Sequence, residues 1–190
     1  MTSRGVLSIG GLAIIIAVMT WGLFVALPRY VARAPKPTAT TSIAPPPAPG
    51  PKIKARLYYV SEDGTQLAGL EREVPFGEGT VDQAREIITA QLAPVAQPLM
   101  SAVPSGTTLR SVFLTDRGEA YVDLSREVSS AHTGGTLDEL LTVYSLVNAL
   151  TANLPAVKSV QLLIDGKEVP TLAGHVDLRR PLTKNLQWVQ

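Results

Sequence analysis

From Lys52 onward the hydrophobic and polar positions switch repeatedly between a period of two and a period near 3.6. Ile53, Ala55, Leu57 and Tyr59 alternate with Lys52, Lys54, Arg56 and Tyr58, the pattern of a half-buried strand with one basic face. A Glu-Asp-Gly turn within 61–65 leads to a second strand near Leu70–Val74, which Pro75 and the Gly77–Gly79 loop end. Thr80-Val-Asp-Gln83 reads as a capping box opening a helix with Val81, Ala84, Ile87, Ile88 and Leu92 on its apolar face, closed by Pro94. Leu109–Leu114 and Glu119–Leu124 pattern as a hairpin across Asp116-Arg117-Gly118. Thr136-Leu-Asp-Glu139 reads as a second capping box. Its helix carries a stripe of Leu137, Leu140, Leu141, Tyr144, Val147, Leu150 and Leu154, widened by Val143 and Leu146 and ended by Asn153 and Pro155. So wide a stripe predicts a helix laid across a sheet. Val160, Leu162 and Ile164 alternate in a further strand, and Asp165-Gly166 is a two-residue turn into Lys167–Val169. The order ββαββαββ predicts an α+β domain over 52–190, a mixed β-sheet with both helices packed on one face.

The chain before Lys52 has a different character. After a short tail over residues 1–5, Val6–Leu27 is a run of 22 residues without a charge. As a helix it is about 33 Å long, enough to cross a hydrocarbon core of roughly 30 Å. Trp21 and Tyr30 stand toward its C-terminal end, as interfacial aromatics do. The alternative is a cleaved signal peptide, for which Ala32-Arg33-Ala34 has the small-x-small form, although the run exceeds the usual signal length. An uncleaved signal anchor is the expectation, and both readings deliver the domain to the same side. A short tail before a first span stays inside, which places the C-terminal domain outside the cytoplasm. The count of basic residues points the other way, with Arg4 before the run against Arg29, Arg33 and Lys36 after it. Residues 28–51 read as a linker, whose last 18 residues, Ala34–Pro51, hold seven prolines. That density favours extended polyproline II and a semi-rigid spacer on the order of 50 Å.

Charge and cysteine content narrow the function classes. The soluble part carries 13 basic residues against all 16 acids, a formal charge of −3, which argues against a nucleic-acid partner. With no cysteine, the chain has no disulfide, thiolate nucleophile, cysteine-based metal site or lipid-anchor cysteine.

Candidate chemistry is sparse. His132 lies in a Ser/Thr/Gly-rich loop before the longer helix. His175 and Asp177 lie two apart, on one face if the segment is a strand, and resemble half of a metal site or catalytic dyad. The plainer reading is that His175 hydrogen-bonds to fix the C-terminal segment. The acidic pairs Glu71/Glu73, Asp116/Glu119 and Asp138/Glu139 are candidates for acid–base work only by adjacency. Asp116 suits a turn, and Asp138 and Glu139 suit the positive end of a helix. Gly134-Gly135-Thr136 before a helix lacks the lysine of a phosphate loop and reads as chain reversal. No catalytic, cofactor-binding or metal residue is assigned; Lys52, Lys54 and Arg56 are the candidate interaction surface.

Several segments, in order, resemble the GerMN domain of sporulation and spore-germination proteins. They are Arg56-Leu-Tyr-Tyr59, Ala120-Tyr-Val-Asp-Leu-Ser125, Thr142–Leu150, Val157–Lys167 and Leu172-Ala-Gly-His-Val-Asp-Leu178. The resemblance covers most of 52–182. It implies an extracytoplasmic envelope domain, anchored at the membrane, with no established catalytic residues. Many relatives carry a lipid-anchor cysteine; here the hydrophobic run stands in its place. The expectation is a single-pass protein of the bacterial cytoplasmic membrane that serves as a non-catalytic binding or assembly module, its partner an envelope protein reached through a sheet edge or the basic strand. A peptidoglycan-binding domain is the alternative, and a cell-wall hydrolase built on His175/Asp177 or an acidic pair is the third reading.

Overall fold

The computed structural model describes residues 18–21 and 50–190. The chain divides into two units, Met1–Pro47 and Ala48–Gln190. In the first, Val18–Trp21 are helical with exposed side chains. The rest of the expected span and the linker before Gly50 lie outside the described residues. Among the described residues no helix is long and apolar enough to cross a membrane.

The second unit is α+β. Its strands are β1 (Lys52–Val60), β2 (Leu67–Pro75), β3 (Leu109–Leu114), β4 (Glu119–Leu124), β5 (Ser159–Ile164), β6 (Lys167–Glu168) and β7 (Leu182–Thr183). Its helices are α1 (Thr80–Leu92), α2 (Glu127–Ser130) and α3 (Thr136–Asn153). The expected elements are present, with the short α2 and β7 in addition. Asp165 (φ 49°) and Gly166 (φ 75°) form the anticipated tight turn, pairing Ile164 with Lys167.

The expected single sheet is corrected to two. β1 and β2 form a separate antiparallel hairpin, while β3-β4-β5-β6 form a mixed sheet with β7 also on β5. β4 and β5 run parallel and the other pairs antiparallel. The reason lies along the outer edge of β1. In its register, Arg56, Tyr58 and Val60 turn their peptide groups away from β2. The Asn153 side chain of α3 accepts from Arg56 N (2.8 Å) and donates to its carbonyl (2.7 Å). The Gln91 side chain of α1 does the same for Tyr58, at 2.9 and 2.6 Å. Met100 pairs with Val60 through both main-chain groups. Two carboxamides and one residue thus make the bonds a neighbouring strand would make, and the larger sheet cannot extend onto β1.

The helix arrangement is corrected too. α3 packs against β1 and also against β5 and β7, and α1 packs against β1, β2, β3 and α3. Rather than lying on one face of one sheet, both helices touch both β-elements. That is why α3 buries residues around most of its circumference, Leu141, Val143, Leu146, Val147, Ala149 and Leu150 among them. These side chains meet Leu57, Tyr59, Ile87, Ile88, Val122, Leu124, Val160 and Leu162 in one core cluster.

Neither capping box forms. Gly79 and Gly135 occupy the N-cap positions, and neither helix has a side-chain cap. Gln83 instead accepts from Gly77 N (3.0 Å) and donates to Pro75 O (3.1 Å), tying the loop down.

Gly118 holds the β3–β4 turn against the approach to β5. Its φ is +86°, and an added Cβ would lie 2.6 Å from Ala156 O. Its carbonyl accepts from Lys158 N at 2.8 Å. Gly118→Ala is therefore expected to destabilise the domain by about 1–3 kcal/mol, read as a lowered midpoint in urea unfolding.

Candidate functional site

The basic stripe of β1 is exposed as expected, but it does not stand alone. The register sets Glu73 opposite Lys54 and Glu71 opposite Arg56, and both acids are exposed. Lys52 Nζ lies 3.2 Å from Glu73 Oε2. The solvent face of the hairpin is a ladder of basic residues on β1 matched to acidic residues on β2, not a basic patch.

His175 and Asp177 fall on an irregular segment rather than a strand, so the two-residue spacing does not put them on one face. Asp177 is exposed; its Oδ1 accepts from Arg179 N (3.1 Å) and lies 3.4 Å from Arg179 Nε. His175 meets Glu139 instead. Glu139, on the first turn of α3, is 0% exposed. Its Oε1 accepts from Leu172 N (2.7 Å) and Ala173 N (3.0 Å), and its Oε2 from His175 N (2.8 Å), with His175 Nδ1 3.2 Å away. Burial pushes this carboxyl up, but the amide N–H groups of Ala173, His175, Leu172 and Val176 outweigh it and hold it below the usual glutamate range. The carboxylate fastens the C-terminal segment to the helix, and the histidine closes over it. Two further acids are engaged as well. Asp123 accepts from Gly166 N (2.7 Å) and Arg110 Nε (3.0 Å), and Asp165 bridges Arg110 and Arg126 at 3.4 and 3.3 Å.

His132 lines a cleft of about 500 Å³ with Val60, Met100, Val103, Leu141 and Asp138. Its Nδ1 accepts from Gly134 N (2.9 Å), so the ring carries its proton on Nε2, 3.1 Å from Thr142 Oγ1. Thr142 Oγ1 in turn lies 2.6 Å from Ala102 O. Both ring nitrogens are occupied, Nδ1 within the loop before α3 and Nε2 on α3 itself. Among the described residues no group of three or more His, Asp or Glu is arranged to hold a metal ion. No buried side-chain polar atom among them lacks a hydrogen bond.

The model of the family described as sporulation and spore germination matches residues 56–170, more than half of the chain. The chain belongs to that family. No curated protein matches it. Solved structures share the fold, among them the following three. The tandem GerMN domains of the sporulation protein GerM from Bacillus subtilis match at 21% identity and a TM-score of 0.55, over 70% of this chain and 46% of that one. This chain thus spans about half of the tandem-domain structure. The first GerMN domain of the same protein matches at 19% identity and 0.54, covering 69% of this chain and 97% of that one. A putative lipoprotein from Clostridium perfringens matches at 23% identity and 0.51, covering 70% and 88%. The second unit is therefore a GerMN domain.

The residues that organise this GerMN domain in roles the sequence reading did not give them are Glu139, Gln91 and Asn153. Glu139 and Gln91 had a visible signal. Glu139 stands four residues before Val143 and seven before Leu146, on the helix's apolar side. Gln91 stands four after Ile87 and three after Ile88, both buried. A polar side chain within an apolar stripe marks a buried partner.

Proposed function

We propose that the chain is a non-catalytic binding and assembly module of the bacterial cell envelope, carried by a single N-terminal span with its GerMN domain on the extracytoplasmic side. The observation supporting this is the contrast between two parts of the domain. Its histidines and buried acids are spent on holding segments in place, whereas the β1–β2 hairpin presents to solvent a charged ladder beside an open main-chain edge. Main-chain edges and charged ladders recognise polypeptides. Membership of the GerMN family supports the envelope setting, and the uncharged run Val6–Leu27 supports the anchor.

In-cell crosslinking from probes on the domain, followed by identification of the products, tests this reading. Crosslinks to an envelope protein are expected, with no retention on purified cell wall. Retention that survives moderate salt would replace the reading with peptidoglycan binding. Release of wall fragments that His175→Ala abolishes would overturn the non-catalytic assignment. A reporter fused after Gln190 is expected to be active only outside the cytoplasm; activity confined to the cytoplasm would overturn the orientation.

A further inference from the structure

Resting on the assembly reading above, we infer that the outer edge of β2, over Gly69, Glu71 and Glu73, receives one added strand from a partner polypeptide, an extended segment that alternates basic and apolar residues.

The hairpin's two edges are treated differently. That of β1 is masked from Arg56 to Val60 by Asn153, Gln91 and Met100. Among the described residues, that of β2 is held only at its ends. Leu67 N donates to Trp188 O (2.6 Å) and Leu67 O accepts from Gln190 N (3.0 Å), while Pro75 O accepts from Gln83. Since alternate residues of a strand turn the same way, Gly69, Glu71 and Glu73 turn their peptide groups outward like Leu67 and Pro75. Among the described residues, none of these three has a partner for its outward N–H or C=O. They span about 14 Å, room for a five-residue strand.

The side chains say what that strand carries. On the solvent face β1 offers Lys54 and Arg56, and β2 answers with Glu73 and Glu71. A third strand continues the alternation with basic residues beside Glu71 and Glu73. At Gly69 the Arg56 side chain crosses the strand: a Cβ there would meet Arg56 Nε at 2.5 Å. The residue beside Gly69 is therefore uncharged or acidic. On the opposite face Leu70, 36% exposed, is left for an apolar side chain.

The probe is the end-blocked peptide Lys-Val-Lys-Val-Ser, which laid antiparallel to β2 sets its lysines beside Glu73 and Glu71 and its serine beside Gly69, titrated onto the full chain in detergent micelles, with Glu-Val-Glu-Val-Ser as the control. Amide exchange at Gly69, Glu71 and Glu73 is expected to slow at least tenfold with the basic peptide, and exchange at Ala68, Leu70, Arg72 and Val74 to stay as it was. In the Glu71→Lys/Glu73→Lys variant the preference is expected to reverse, the acidic peptide binding at least tenfold more tightly than the basic one. Glu71→Pro, which removes one outward N–H and no bond to β1, is expected to weaken the basic peptide at least tenfold. No protection at these three amides, protection at Leu109–Leu114 instead, or equal binding of the basic peptide by the charge-reversed variant overturns the inference. Protection that rises with protein concentration and no peptide assigns the edge to a second copy and also overturns it. Crosslinks to an envelope protein with the β2 amides unprotected would sink the edge and leave the assembly reading standing. Absence of any protein crosslink would sink the reading itself.

Discussion

Replacing Glu139 with alanine is expected to destabilise the GerMN domain by about 4 kcal/mol, seen as a large drop in the urea midpoint. The carboxylate is the shared acceptor for the amides of Leu172, Ala173 and His175. Truncation strands those donors around a fully buried position, the Leu172 amide within the core itself, and frees the segment that covers the first turn of α3. Glutamine is a finer probe. Its single carbonyl can keep Leu172 and Ala173, but its NH2 then faces the N–H of His175, so an intermediate loss of about 2 kcal/mol is expected. The pH dependence follows from the sign of the shift. The folded carboxyl lies below its ordinary value of 4.5. Its stabilisation is complete above that value and disappears as pH falls through the lower, folded one. Acid unfolding of the wild type should show this component, and Glu139→Gln should lack it. Equal acid sensitivity in both proteins would show that the carboxylate is not the group responsible.

Removing the mask on β1 gives the second large effect. Gln91→Leu keeps the side chain's bulk but leaves Tyr58 N and O unpaired inside the domain, where Gln91 is 0% exposed. A loss of about 3 kcal/mol is expected. Asn153→Leu removes the same pair of bonds at Arg56, an exposed residue where water can take over, and about 1 kcal/mol is expected. The ratio is the informative quantity, since a uniform packing effect would make the two losses alike. Unmasking also exposes a hydrogen-bonding edge, so the Asn153→Leu protein should self-associate at concentrations where the parent does not, read by sedimentation.

What could be read from the chain divides along a physical line. Features set by neighbours in sequence were legible: the alternation of β1, the Asp165-Gly166 turn, the wide stripe of α3. So were the segments that mark the GerMN family. Features set by residues far apart were not. Gln91 meets Tyr58, Asn153 meets Arg56 and Met100 meets Val60 across long stretches of chain, and those meetings divide one expected sheet into two. The capping boxes failed for a related reason. Thr80 and Thr136 had the right spacing to Gln83 and Glu139, but tertiary contacts claimed both acceptors: the Pro75–Gly77 loop took one and the Leu172–His175 segment took the other. His175 and Asp177 show the same limit, because a two-residue spacing places side chains together only where the backbone is extended.

The masking of β1 also fixes a valence. Strand exchange between like domains propagates when each unit offers two compatible edges, one to receive and one to be received. Here Arg56, Tyr58 and Val60 are already bonded within the domain, leaving only Lys52 and Lys54 on that side. A unit built this way can finish a ladder but cannot relay one. The carboxamides of Gln91 and Asn153 thus act as stoppers that limit edge pairing at this hairpin to one segment per domain, and the stoichiometry of any complex formed there is set inside the fold rather than by its partner.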